Sequence, residues 1–191
     1  MFGSLLKDIQ NKISISEDEI EKFRSYWNVI QLKKNDFLFR NGQVCKCDSY
    51  VVKGSLKAFY LNAQTGNEEI LFFAIERWWA TDLDSFANQT KSLYNIQALE
   101  DSILLQIDFQ SFTKLLNEIP KMERYFRIIL ESYISAIQWR IISLNSFTAE
   151  ERYKDFVSQY PKIIQRVPQY LIASYLGITP EFLSRIRAQD R

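Results

Sequence analysis

The hydrophobic period of this chain changes twice, first at Val29 and again after Asp108. Up to Val29, apolar residues recur every three or four positions, as on one face of a helix. From there to Asp108 they fall in short β-branched and aromatic runs broken by turn signals, and beyond it the helical period returns. The order is therefore helices, strands, helices, which describes an α+β chain. With 191 residues, 47% of them hydrophobic, the chain can build one domain or two small ones around a real core.

The opening segment sets Phe2, Leu5, Leu6, Ile9 and Ile13 at helical spacing. A second short helix starts at Ser16-Glu17-Asp18-Glu19, an S-x-x-E capping box ahead of Ile20, Phe23 and Trp27. Strand-like runs follow over 29–32, 37–40, 50–52, 56–61, 69–75, 94–99 and 103–107. Gly42, Gly54 and Gly66 fall at turns between them, where positive φ costs glycine least. Strands so spaced predict a barrel, roll or sandwich.

Past Asp108, residues 109–119 read as a short helix ended by Pro120. Phe126, Leu130, Tyr133, Ile137, Ile141 and Leu144 then recur at helical steps. They predict one helix over 120–145, about twice the mean helix length in globular proteins. Its apolar stripe is broad, with Ile129, Ile134 and Trp139 off the main seam. One side can cover the β region while another pairs with a second copy of the helix; the alternative is burial wholly within one chain.

Composition removes several function classes. The chain has no histidine, and a Ser-His-Asp triad, a Cys-His dyad, an HExxH zinc site and a His-ligated cupin metal all need an imidazole. No enzymatic activity is expected, and no catalytic residue or metal ligand is assigned. Cys45 and Cys47 form a lone C-x-C, short of the four ligands that zinc or an iron–sulfur cluster wants. They read as ordinary thiols in a reducing cytosol. No apolar run approaches the roughly 20 residues of a membrane span. Asp8 interrupts the opening segment where a signal peptide would be apolar, so a cytoplasmic protein is expected. Net charge is +1, but residues 1–119 carry 13 Lys/Arg against 16 Asp/Glu and residues 120–191 carry 11 against 7. That asymmetry has the sign required if the C-terminal part meets phosphate.

The most specific pattern runs from Gln169 to Ile186. Counted from Gln169 as a helix-turn-helix, the fourth, eighth, tenth, fifteenth and eighteenth positions must be apolar. They are Ile172, Leu176, Ile178, Leu183 and Ile186. The fifth must be small where the helices cross and is Ala173; the ninth must leave the first helix with positive φ and is Gly177. Thr179 is a suitable N-cap, and Pro180 suits a first helical turn. Thr179, Glu181, Ser184, Arg185 and Gln189 then face outward, with Arg187 beside them. An outward Arg can chelate guanine O6 and N7, and Glu can accept from cytosine N4. Thr179 and Ser184 suit phosphate contacts.

This order of helix, β region, long helix and helix-turn-helix resembles the Crp/Fnr family of bacterial transcription regulators along essentially the whole chain. The stretches that carry the resemblance are 50–57, 66–69, 98–102, 149–153 and 172–180. It implies a cyclic-nucleotide-binding-type antiparallel β-roll, jelly-roll-like, over 1–119. A dimerisation helix over 120–145, with Phe126, Leu130, Tyr133, Ile137 and Ile141 at the seam, and a helix-turn-helix DNA-binding domain over 146–191 complete it. The implied partners are a second copy of the chain, a palindromic DNA operator read by Thr179, Pro180, Glu181, Ser184, Arg185 and Arg187, and RNA polymerase.

Two departures from the family pattern stand out. Nucleotide-binding members carry Gly-Glu and, some ten residues on, Arg-Ser or Arg-Thr. Here the effector pocket reads Thr81-Asp82, then Lys91-Ser92 and Tyr94. Lys91 is a point charge without a guanidinium fork, so a cyclic phosphate loses on the order of a few kcal/mol of binding. No response to cAMP is expected, and the choice between another small effector and none stays open. Trp78, Trp79, Phe86 and Tyr94 fill or line the cavity, or are simply core. The family also continues past the recognition helix into a β-hairpin wing, whereas this sequence stops at Arg191. The resemblance thus implies a short member with weakened phosphate anchoring. The alternative function is a sensor whose helix-turn-helix no longer binds DNA.

Overall fold

The computed structural model describes residues 1–189. The chain forms two compact units: Met1–Ala58 with Phe73–Glu131, and Phe59–Phe72 with the chain from Ser132 onward.

The elements up to the long helix run α1 (Gly3–Gln10), α2 (Glu17–Ser25), β1 (Asn28–Leu32), β2 (Phe37–Phe39), β3 (Cys47–Lys53), β4 (Ser55–Leu61) and β5 (Glu68–Ile75). Then come α3 (Leu83–Asn88), β6 (Asn95–Ala98), β7 (Ser102–Asp108), α4 (Phe109–Glu118) and α5 (Lys121–Ser146). The strands make the antiparallel β-roll of the sequence reading, as one sheet of order β1-β7-β3 and one of order β2-β6-β4-β5. The unforeseen element is α3. It is only six residues long, too short to show a helical period, and it begins on an Asp82 cap.

Alternation along β3 and β7 buries both faces of these two strands, while β1 at the sheet's edge stays largely exposed. Tyr50, Leu105 and Ile107 turn toward the helices and pack with Leu5 and Ile9 of α1, Phe23 of α2, Leu115 of α4, and Met122, Tyr125 and Phe126 of α5. The foreseen capping box at α2 is complete: Ser16 N–H donates to Glu19 Oε2 at 2.8 Å, and Glu19 N–H donates back to Ser16 Oγ at 3.4 Å. Gly54, at φ +101°, turns β3 into β4 against Ser102, whose Cα would lie 2.7 Å from any Cβ placed there. Only glycine fits that crossing. Phe126 is buried beside Trp79, Phe112 and Tyr125, so it serves its own chain's core and is not free for a dimer seam.

The second unit contains the later part of α5, then α6 (Ala149–Gln159), α7 (Pro161–Arg166), α8 (Gln169–Leu176) and α9 (Pro180–Gln189), together with the tip of the β4–β5 hairpin. Its core is Phe156, Ile163, Leu171, Ile172, Leu176, Leu183 and Ile186. A second capping box, Thr148 with Glu151, starts α6. Along α5 every residue from Leu130 to Trp139 is exposed, so this helix is not wholly buried within one chain. Among the described residues no helix is long and apolar enough to cross a membrane.

Candidate nucleic-acid interface and effector cassette

The turn between α8 and α9 is built as the spacing requires. Gly177 takes φ +66° and ψ +39°, and the N–H groups of Gly177 and Ile178 donate to Ser174 O at 3.1 Å and Ala173 O at 3.0 Å. This pair of bonds is a Schellman closure, which satisfies carbonyls a helix end leaves open. Thr179 then caps α9, its Oγ1 accepting from Phe182 N–H at 3.2 Å. Ile172, Ala173, Leu176, Leu183 and Ile186 are buried, and Ile178 is half-buried. Packing these positions leaves Thr179, Pro180, Glu181, Ser184 and Arg185 exposed together, with Arg187 half-buried at their side. The Arg185 guanidinium lies 5.0 Å from the Phe182 ring centroid one turn back, a cation–π contact on an exposed side chain. The Gln189 side chain and residues 190 and 191 lie outside the described residues.

The cassette residues of the β-roll behave differently. Asp82 caps α3 by accepting from Ser85 N–H at 3.1 Å, and its other carboxylate oxygen accepts from Ser92 Oγ at 2.6 Å. Tyr94 N–H donates to Ser92 Oγ at 3.2 Å, and the Tyr94 hydroxyl donates to Thr81 O at 3.2 Å. Thr81 Oγ1 donates in turn to Asp48, a buried carboxylate that also accepts from Ser49 N–H at 2.8 Å. Burial pushes the Asp48 carboxyl up to about 6, against the lowering effect of those two donors. Thr81, Asp82, Ser92 and Tyr94 thus form one bonded cluster. Lys91 is not in it: the residue is exposed and its backbone bridges to Val44.

Sequence reasoning overlooked Asp48 and Ser85, the residues that tie the cluster down. Ser85 Oγ accepts from Cys45 N–H at 2.8 Å and donates to Thr90 O at 2.5 Å. Asp48 precedes the strand run read over 50–52, and only the structure extends β3 to Cys47 and buries it, so no local signal marked this residue. Of the aromatic residues, Trp79 sits in the sheet-to-helix core, 5.4 Å from both Tyr50 and Phe126. Phe86 packs on Phe109 and Phe112, and Tyr94 packs on Phe39. Trp78 is half-buried. Burial pushes the Cys45 thiol up to about 12, which leaves it an inert core group.

Residues 29–118 match the cyclic nucleotide-binding domain. The chain is 26% identical over 168 residues to the transcriptional activator protein Anr of Pseudomonas aeruginosa, covering 81% of this chain and 67% of that one. Its fold is similar to that of FixK2 from Bradyrhizobium japonicum, with a TM-score of 0.73 at 16% identity over 85% of this chain and 83% of the other. It is also similar to that of CLP, the c-di-GMP responsive regulator of Xanthomonas campestris, with a TM-score of 0.72 at 15% identity over 91% of both chains. The chain is thus similar, in sequence and in fold, to transcription regulators of the Crp/Fnr type.

The similarity gives the cassette a specific chemical test, which it fails. A Crp/Fnr cassette that takes a cyclic nucleotide presents a guanidinium to the phosphate and a free carboxylate to the ribose. Here Asp82 is already paired with Ser92 inside the roll, and the nearby cation, Lys91, is exposed. None of these residues carries a guanidinium fork to pair with a phosphate, and the buried Asp82 and Asp48 carboxyls would oppose one. These residues do not fit a cyclic phosphate.

Proposed function

We propose that this chain is a Crp/Fnr-type regulator and reads a palindromic DNA operator as a homodimer, with α9 in the major groove of each half-site. The observation that carries the reading is the division of α9: Leu183 and Ile186 are buried, while Thr179, Pro180, Glu181, Ser184 and Arg185 share one exposed face. Arg185 and Arg187 supply base-edge or phosphate donors, Glu181 a base-edge acceptor, and Thr179, Ser184 and the Pro180 turn the positioning contacts.

The dimer seam is supported by α5. Leu130, Ile134, Ile137, Ile141 and Leu144 are exposed at alternating steps of four and three, the repeat of a two-stranded coiled coil. Tyr133, which meets Phe72 of its own chain at 6.3 Å, flanks this line. Half-sites then lie about one helical turn of DNA apart. The working division is a sensor-type β-roll over 1–119, a dimer helix over 120–145 and a reading domain from 146. RNA polymerase is the further partner, the cytoplasm the place of action, and the roll serves as a scaffold without cAMP or another resident cofactor.

The test is selection of bound fragments from a random DNA pool by the purified protein, with and without cAMP, followed by the salt dependence of binding to the winner. A palindromic site enriched equally in both arms, with a steep salt slope, is the expected outcome. No enrichment in either arm overturns it in favour of a sensor that no longer touches DNA.

A further inference from the structure

Arg140 leaves α5 within the second unit and ends among carbonyl oxygens. Its Nη1 donates to Leu71 O, and its Nη2 donates to Ile70 O at 2.9 Å and Tyr175 O at 3.2 Å. The guanidinium lies over the Tyr175 ring, 4.2 Å from its centroid. Nε is buried and has no partner among the described residues. Ile70 and Leu71 belong to β5, at the edge of the four-stranded sheet, and Tyr175 is in the last turn of α8. Strand edges and helix C-termini are the places where backbone carbonyls lack partners of their own. Arg140 joins one of each.

Ser174 works on the same edge from α8. Its hydroxyl accepts from Ile70 N–H at 3.1 Å and donates to Glu68 O at 2.9 Å. These are groups that a further strand would occupy, so the first helix of the helix-turn-helix closes the edge of β5 through one side chain. Tyr175 adds its ring on Phe156, at 5.2 Å between centroids. A half-buried guanidinium surrounded by dipoles carries a desolvation cost that an apolar side chain would avoid. A group retained at that cost, with directional bonds to two different elements, fixes an orientation rather than simply filling space.

We infer that Arg140 and Ser174 are positioning residues for DNA reading, holding α8, and through it α9, on the tip of the β4–β5 hairpin. The inference rests on the DNA-reading function proposed above. The link from α8 to α9 is short and stiff: the Gly177 turn closes it, and buried Ala173 lets the helices cross closely. Strands β4 and β5 run on from this tip into the first unit.

The experiment compares the full chain with Arg140→Gln, Ser174→Ala and Ser174→Thr. Three quantities are read: hydrogen exchange of the Ile70 amide, affinity for the selected DNA site, and base preference with its salt slope. Arg140→Gln and Ser174→Ala should weaken DNA binding about tenfold, the usual scale of such coupling. They should also speed Ile70 exchange while leaving base preference and salt slope as in the parent. Ser174→Thr, which keeps the hydroxyl, should stay near the parent in all three. Faster exchange with unchanged DNA affinity overturns the positioning role and leaves the DNA-reading function standing. Weaker binding without faster exchange also overturns it, because the loss then does not pass through the hairpin seat. If the parent itself shows no salt-dependent DNA binding, the function and this inference fall together, and the parent measurement alone reveals that case.

Discussion

The cassette of the β-roll and the first turns of α9 present nearly the same chemistry: Thr81, Asp82 and Ser92 in one, Thr179, Glu181 and Ser184 in the other. In the roll these groups are buried and bonded to one another or to Asp48. On α9 the only one with an assigned local task is Thr179, which caps the helix, and all three are exposed. Residue type alone therefore does not identify a binding site. A hydroxyl or carboxylate recognises a ligand only if the fold has left it unspent, and here the two units of one chain make opposite choices.

The largest effect that would break this comparison comes from the frame of the reading unit. Ile172→Asp places a carboxylate in a fully buried position and should cost more than about 4 kcal/mol. Hydrogen exchange should show α8 and α9 losing protection while β3 and β7 keep theirs. Loss of protection in both units together would show that the two do not behave as separate folding units.

Asp48 gives the next largest effect, with a definite sign. Its carboxyl titrates near 6 when folded against an ordinary 3.8, so the folded state holds the extra proton between those values. Stability from this group is therefore present at low pH and declines as pH rises from about 4 through 6, by up to about 3 kcal/mol. Asp48→Asn keeps an acceptor for Thr81 and Ser49 but cannot ionise. Denaturant unfolding across this window should show the parent losing stability relative to the variant. Parallel curves would mean that Asp48 stays ionised and that the cluster is more open than its burial implies.

Arg185→Ala should cost about 1–3 kcal/mol at the preferred site and relax selectivity at a single base pair. Equal weakening on every sequence, with a shallower salt slope, would move Arg185 from base reading to phosphate contact. Ser92→Ala leaves the buried Asp82 carboxylate without its 2.6 Å donor and should lower stability by about 1–2 kcal/mol, read from thermal melts. The smallest expected effect is none at all: saturating cAMP should not shift the melting temperature of the parent. A cAMP-induced rise would show that the Asp82–Ser92 pair opens to admit a phosphate, and it would dissolve the contrast between the two units.

The capping box at Ser16, the positive-φ turns at Gly54 and Gly177, the strand runs and the helix-turn-helix spacing could all be read from the chain, because each depends on neighbours within a few positions. The family resemblance rests on these same local signals. Helix α3 escaped notice because Asp82 reads equally well as a ligand group and as a helix cap, and six residues show no period that would decide between them. The long helix was legible as a helix, but which residues of its apolar stripe the fold uses within its own chain was not. Phe126 and Tyr133 fit the apolar stripe, yet the fold buries one in the roll's core and sets the other against Phe72.

What the sequence determined by itself was therefore the order of elements, their caps and turns, and which face of α9 stays polar. Only the tertiary structure decided which polar groups were already taken. Ser92 meets Asp82 across 10 positions, Thr81 meets Asp48 across 33, and Arg140 meets Ile70 across 70. Helical and strand periods are properties of adjacent residues, whereas hydrogen-bond satisfaction in a core depends on which distant segments the packing brings within 3 Å.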